Sequence, residues 1–587
     1  STAAQAQSSK FSLTLSNGLG LENVVGTAGA DTIYGNARNN RIDGAEYSVG
    51  YGTATGGTRG QTQWVLLNFD TRTDLAAGEH EYTAAEREAI RARVQAVYRG
   101  PDSGSPWFDV QVVLAAASIP SGVSEYVTIF FNDTPAFGRP GGLASEIDPG
   151  NLSFGGTAVV QVNGLLGGVI TADDTGGEGG DADAYKGYQP GFGDEQIGAS
   201  KPDATSENFV LLSAKIAAHE LAHLMGLRHQ DSFGPIGFGV HDPPGVNGYN
   251  PQFPGPAGGV ETFDHLLGTG ASVGSDRFND LRNLFFGERE AIKLALSVSD
   301  HSQTFATESS SAHGTYLTAQ ALALTTVAVP NTLSAGLNEN KSIYVQMKSV
   351  VGAIAVDSGT GKSQNDWYSF TGSAGDVVNL DLYSNSLTRY GTAADNYIDS
   401  IVRVWYVQGG VLTEVPWFTS TAVNDDIFEP TDSSILDLLL PVTGTYYVEV
   451  DTFKRDPSSA LFDASNPSSP LNPSNPNNLL RPGYEDLLKR FLDTRDDTDI
   501  GQYQLVLSRF TKSNESDGTD TIRGYGGVDQ IDAGSGDDYS LVVAVGSAGS
   551  STEGSAFRRS ISVTDRAATS WAGSTVNYGD GSGNQSL

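Results

Sequence analysis

The 587-residue sequence predicts a multidomain chain: an α+β domain, an all-β sandwich, and short stacked repeats at both ends. Three observations predict it. A glycine-rich nine-residue period occurs near each terminus. Residues 61–300 mix apolar strand-like runs with helical patterns. Residues 314–510 alternate polar and apolar side chains as half-buried strands do. The expected boundaries are 1–60 for N-terminal repeats and a linker, 61–300 for the α+β domain and 301–313 for a polar linker. The sandwich follows over 314–510, the C-terminal repeats over 511–545, and an incomplete β-domain over 546–587.

Composition narrows the function. Asp and Glu number 69 against 35 Lys and Arg, a net charge of −34. So acidic a surface repels phosphate backbones and anionic lipid heads, and favours divalent cations. No nucleic-acid partner is expected. No apolar run has the length of a membrane span, and no transmembrane segment is expected. Cysteine is absent, which removes disulfides, thiolate ligands and cysteine nucleophiles together. A metal site must then use His, carboxylates or carbonyls, and bound calcium is the natural staple for a secreted chain. The sequence opens at Ser1 without a leader, and reads as a processed or excised piece of a larger protein.

In the N-terminal repeats, Gly26 to Tyr34 is followed by Gly35 to Asp43, with Asp31 and Asn40 sixth and Ile33 and Ile42 eighth. Near the other end Asp520, Asp529 and Asp538 are nine apart, and Ile522 and Ile531 each follow an aspartate by two. Each unit is a glycine-permitted turn and a short strand. One unit cannot bury its own apolar face, so the units must stack. A plain Gly/Asp-rich linker is the bland alternative. The pattern resembles the RTX nonapeptide family, which forms calcium-bound parallel β-rolls. The resemblance implies structural Ca2+ at Asp31, Asp520, Asp529 and Asp538, with turn glycines Gly527 and Gly536. Arg38 and Asn40 depart from the pattern.

Between the repeats and the sandwich, Trp64–Phe69, Phe108–Leu114, Tyr126–Phe131 and Thr157–Val162 read as strands. Thr83-Ala84-Ala85-Glu86 is a capping box that opens an amphipathic helix to about Tyr98. A second helix runs from about Glu207 to Met225. At its end stands His219-Glu220-Leu221-Ala222-His223-Leu224-Met225-Gly226-Leu227-Arg228-His229. His219 and His223 are four apart and share one helix face. Gly226 sits where the helix must stop and costs little in a left-handed turn, so the chain can reverse and bring His229 to the same ion. Three imidazoles leave a fourth position open, the layout of a catalytic zinc site. The bland alternative, a core helix with incidental histidines, needs three separate partners for three imidazoles.

This stretch resembles the extended zinc signature of the metzincin metallopeptidases (serralysin- and matrixin-like), and residues 61–300 resemble their catalytic domain. The resemblance implies zinc on His219, His223 and His229, with Glu220 as general base toward a zinc-activated water. Those peptidases carry a methionine in a turn beneath the metal. Here the candidate turn is Asp264 to Gly270, and Leu267 stands in the methionine's place. Leu is branched and lacks the soft thioether, so its packing beneath the metal differs. Thr157, Ala158, Val159 and Val160 are the candidate sheet edge for an extended substrate.

Residues 314–510 resemble the bacterial pre-peptidase C-terminal domain, on Asp366–Phe370 and Gly444–Val448. The stretch Tyr578 to Gly583 resembles the opening of a PKD-like sandwich. His241 and His265 either line the cleft or sit satisfied elsewhere. Asp173, Asp174, Glu178, Asp181 and Asp183 form either a calcium loop or a solvated one. Trp367 and Tyr368 read as sandwich core. The function expected is a secreted or cell-surface, bacterial, calcium-stabilised zinc endopeptidase acting on protein or peptide substrates. The alternative is a calcium-assembled surface, filament or adhesive protein that self-associates through its repeats and carries a weak peptidase domain.

Overall fold

The computed structural model describes the strands 12–14, 23–25, 32–34, 41–43 and 51–52, and residues 60–71, 79–100, 107–135, 140–171, 198–233, 236–237, 239–240, 254–255, 265–268, 278, 284–297, 305–311, 313–330, 342–356, 363–384, 398–424, 432–452 and 500–510. It also describes the strands 521–524, 530–534, 539–543, 563–565, 575–577 and 584–586. Two compact units emerge. One holds residues 53–333 and 342–511; the other holds 1–52, 334–341 and 512–587.

The larger unit begins with a five-stranded sheet in the order Val110–Val113, Gln63–Asn68, Val127–Phe131, Thr157–Gln161, Gly141–Ala144. The first four run parallel, and Gly141–Ala144 closes the row antiparallel. Helix α1, Ala84–Arg99, carries the predicted capping box: Thr83 Oγ1 accepts from Glu86 N and Glu86 Oε2 accepts from Thr83 N. Helix α2, Ser206–Leu224, is apolar nearly all round and is buried from Val210 onward against α1 and the sheet, except at half-buried His219. The edge expected at Thr157–Val160 needs correction. That strand lies between Val127–Phe131 and Gly141–Ala144, and the edge is Gly141–Ala144. Its short Gly-Gly-Leu-Ala run has little β-propensity, while the Val-rich Thr157–Gln161 suits a strand paired on both sides.

Two further sheets pack as a sandwich. One orders Phe305–Thr307, Ser342–Ile354, Gly501–Phe510, Val377–Tyr383 and Ser433–Leu439, and Thr325–Pro330 also pairs with Ser342–Ile354. The other orders Gln320–Ala321, Asp366–Gly372, Gly444–Thr452, Ser400–Gln408 and Val411–Glu414. Their inner faces share one core that includes Tyr368, Phe370, Val378, Leu380, Val404, Tyr446, Leu505 and Leu507. The expected linker is therefore not all linker: Phe305–Thr307 joins the first sheet in parallel. Every residue of Val377–Tyr383 is buried, because one face packs into the sandwich and Asp381 on the other meets Lys293 of helix α3, Glu288–Leu296. The α+β part and the sandwich thus lie in one unit.

The smaller unit is a pair of parallel four-stranded sheets. One orders Ser12–Thr14, Thr32–Tyr34, Thr521–Gly524 and Tyr539–Val543; the other orders Asn23–Val25, Arg41–Asp43, Gln530–Gly534 and Val563–Asp565. The chain switches sheet with each strand, and the strands starting at Asn23, Thr32 and Arg41, and at Thr521, Gln530 and Tyr539, follow one another nine residues apart. The N-terminal run sits directly on the C-terminal one: Ile33 is opposite Ile522 and Ile42 opposite Ile531. Thr575–Asn577 and Asn584–Ser586 form a separate antiparallel pair.

Candidate metal centre

Helix α2 sets the spacing of the first two ligands and its end sets the third. The helix closes with Gly226 N donating to His223 O at 2.9 Å and Leu227 N to Ala222 O at 3.0 Å. Gly226 adopts φ +95°, and a side chain there would strike the backbone of Asp148 and Pro149. Glycine is therefore required twice, by conformation and by contact. The reversed chain enters a short 3₁₀ turn, His229–Ser232, whose first residue returns to the helix.

The three imidazoles converge. The Nε2 atoms are 3.1 Å (His219 to His223), 3.1 Å (His219 to His229) and 3.2 Å (His223 to His229) apart. His219 Nδ1 lies 2.8 Å from Leu266 O, and His223 Nδ1 lies 2.8 Å from Leu227 O. A carbonyl only accepts, so both Nδ1 atoms carry the proton in the neutral ring and both Nε2 lone pairs face inward. Lone pairs aimed at one point repel unless a cation lies between them. Corners of a tetrahedron around an ion held at 2.0–2.1 Å lie about 3.3 Å apart, close to the spacing found. The residues present therefore fit a zinc ion. His223 is buried, His219 half-buried and His229 exposed, so the centre opens on the His229 side.

Glu220 is buried at 3% exposure beside the triad. A side chain at Gly142 would collide with its Oε1 and with Ile216. The backbone of the edge strand thus passes directly over the Glu220 carboxylate. Leu267 is fully buried in the turn after His265, and it is the preceding carbonyl, Leu266 O, that holds His219. His265 does not join the centre. It is buried 3.0 Å from Glu290 and edge-on to Phe285.

The loop carrying His229 is clamped by charges from the sandwich and α3. Arg228 donates to Asp432 at 2.8 Å and lies over the Tyr383 ring. Lys293 lies 2.5 Å from Asp231 and 3.4 Å from Asp381. Asp231 Oδ2 accepts Arg228 N at 2.7 Å. Arg289 donates to Asp437 at 2.7 Å and to Phe233 O at 2.9 Å. Burial lowers the Lys293 ammonium's affinity for its proton, but Asp231 and Asp381 outweigh it and hold the pKa above the ordinary value. The backbone acceptors and this clamp were not among the residues expected from sequence, because nothing local marks them. Tyr368 is buried in the sandwich core as expected, whereas Trp367 is not part of that core and is buried beside Trp405 and Tyr316. The calcium candidates Asp31, Asp520, Asp529, Asp538, Gly527 and Gly536 lie outside the described residues, as do His241 and the acidic loop 173–183.

No curated protein matches the chain. Among solved structures, the periplasmic g-type lysozyme inhibitors PliG of Aeromonas hydrophila and of Salmonella Typhimurium align with 28% of this chain and with 85% and 90% of their own. Identities are 12% and 10% and TM-scores 0.13 and 0.12, too low to carry an argument. Residues 17–46 and 516–539 match the RTX calcium-binding nonapeptide repeat in four copies. The chain carries calcium-binding repeats of a kind typical of secreted proteins, and its two repeat runs are the ones that pair in the smaller unit.

Proposed function

We propose that the chain is a secreted, calcium-stabilised zinc endopeptidase. The observation that carries this reading is the meeting of the His219, His223 and His229 Nε2 atoms beside a buried glutamate, with two tautomers set by backbone carbonyls. His219, His223 and His229 would hold the metal, which supplies Lewis acidity to a water and to the scissile carbonyl. Glu220 takes a proton as the nucleophile forms and returns it to the departing amine. The edge strand Gly141–Ala144 aligns an extended peptide by strand addition, and its close approach at Gly142 sets the peptide bond against Glu220. The repeats stabilise the chain through calcium.

The test is Glu220→Ala with zinc content and cleavage of a denatured protein measured together. Zinc content should stay at the parent value. Cleavage should fall about 10²–10⁴-fold, the usual contribution of a positioned proton carrier. Equal cleavage by parent and variant would remove the peptidase reading.

A further inference from the structure

A second cluster in the larger unit shares the logic of the first without its residues. Glu308, His313 and Asp366 bring one ligand atom each to within 4.8 Å of the others. His313 Nε2 lies 3.4 Å from Asp366 Oδ1 and 3.5 Å from Glu308 Oε1. His313 and Asp366 are buried, with side-chain exposures of 5% and 4%, and Glu308 is partly open at 25%. His313 Nε2 has no hydrogen-bond partner.

Each of the three side chains is turned by a separate contact on its far atom. His313 Nδ1 lies 2.9 Å from Ser311 O, which only accepts, so the neutral ring carries its proton there and its lone pair at Nε2. Glu308 Oε2 accepts Ala353 N at 2.7 Å, leaving Oε1 toward His313. Asp366 Oδ2 accepts the Tyr503 hydroxyl at 2.7 Å, leaving Oδ1 toward His313. Outer contacts that orient each ligand and fix an imidazole tautomer are the usual surroundings of a metal.

The distances separate two explanations. An imidazolium held between carboxylates would make charge-assisted hydrogen bonds of about 2.7–2.9 Å. The observed 3.4 and 3.5 Å are longer, and close to the spacing of about 3.3 Å for ligands around a tetrahedral ion bound at 2.0–2.1 Å. An imidazole ligand favours a zinc-type ion over calcium, which takes roughly six to eight oxygens.

We propose that Glu308, His313 and Asp366 form a second divalent-metal site of the zinc class, which pins the segment entering the sandwich to the strands that begin at Asp366 and end at Phe510. The site is separate from the three-histidine centre and needs none of its residues.

The experiment uses the full chain, stripped with chelator and dialysed against buffered zinc with millimolar calcium present. Zinc per chain is measured for the parent, His313→Ala, Glu308→Gln and His229→Ala. His313→Ala should bind one zinc fewer than the parent. Glu308→Gln preserves side-chain size and should bind that zinc about ten-fold more weakly or worse. If His313→Ala fails to fold, Glu308→Gln carries the test alone. Zinc binding equal to the parent's in a folded Glu308→Gln and His313→Ala overturns the proposal, as does displacement of that zinc by calcium. Failure of the three-histidine reading looks different: His229→Ala would then leave zinc content unchanged, while His313→Ala would still remove one ion.

Discussion

Two clusters in the larger unit point imidazole Nε2 atoms at neighbouring ligands, and they are assembled over very different lengths of chain. His219, His223 and His229 come from one helix end and its reversal. Glu308, His313 and Asp366 are brought together by strand pairing, through Phe305–Thr307 on Ser342–Ile354 and through Trp367 N donating to His313 O at 2.9 Å. The first cluster opens toward solvent at His229, while the second is sealed except at Glu308. An open side suits turnover and a closed one suits a staple. The two also depend on the sandwich differently. It supplies a ligand to the second, but to the first only the charges that hold the His229 loop.

The largest expected effect tests that last distinction. Asp432→Asn removes the carboxylate charge facing Arg228 in a site where Arg228 is 3% and Asp432 1% exposed. Taking one partner from a buried ion pair costs about 3–5 kcal/mol. Chemical denaturation should show a loss in that range for the larger unit, with zinc binding at the His313 cluster unchanged in the folded protein. A loss under about 1 kcal/mol would mean that the loop is held by Asp231 and the Tyr383 ring instead.

A smaller effect sharpens the comparison from the other side. Tyr503→Phe deletes the hydroxyl that orients Asp366 and also meets Tyr368 Oη at 2.5 Å. Loss of an outer contact of this kind weakens a metal site about 10–100-fold. Competition with a chelator should find that shift in the zinc bound near His313 and none in the zinc bound near His223. Asp366 itself is pushed up to about 6: burial raises it, Tyr503 pulls it back, Glu308 raises it again and His313 lowers it. A carboxyl with a raised folded pKa stabilises below its unfolded pKa and loses that contribution as pH climbs toward 6. Metal-free protein should therefore lose stability between about pH 4 and 6 at this residue, and Asp366→Asn should remove that slope in denaturation measured across the window.

The contrast also explains what could be read from sequence. The three-histidine centre was legible because its spacing is set by helix geometry and a single glycine, all inside one run of residues. The repeats were legible because their period is local, but which run pairs with which is not: Ile33 opposite Ile522 is a fact of the fold alone. The sheet edge expected at Thr157–Val160 was misplaced for the same reason. Thr157–Gln161 has the side chains of a good strand, yet sheet order depends on Gly141–Ala144 crossing to its outer side. His313 stands in a polar stretch with no periodicity, Glu308 has no marker nearby, and the Asp366–Phe370 block signals a strand rather than a ligand. The clamp residues Asp381, Asp432 and Asp437 look like ordinary strand polar positions until α3 and the His229 loop are packed on them.

The smallest effect lies where a local signal and a long-range contact share one side chain. Glu86 completes the capping box of α1 through Thr83 and also accepts Ser206 Oγ at 2.6 Å, at the first residue of the helix that carries His219 and His223. Burial pushes the Glu86 carboxyl up, and the hydrogen bonds from Ser206 and Thr83 together pull it below its ordinary value. A carboxyl lowered in the folded state contributes stability above its unfolded pKa and loses it as pH falls through the folded one. Thr83→Ala removes one of those contacts, the hydroxyl's, together with the cap on Glu86 N, keeps the Thr83 N contact, and should cost about 1 kcal/mol near neutral pH. The difference from the parent should shrink as pH falls from the ordinary carboxylate range through the lowered Glu86 pKa, until Glu86 is protonated in both. A gap that stays constant with pH would assign the whole loss to the hydroxyl cap on Glu86 N, and would leave the Ser206 contact to set the Glu86 charge.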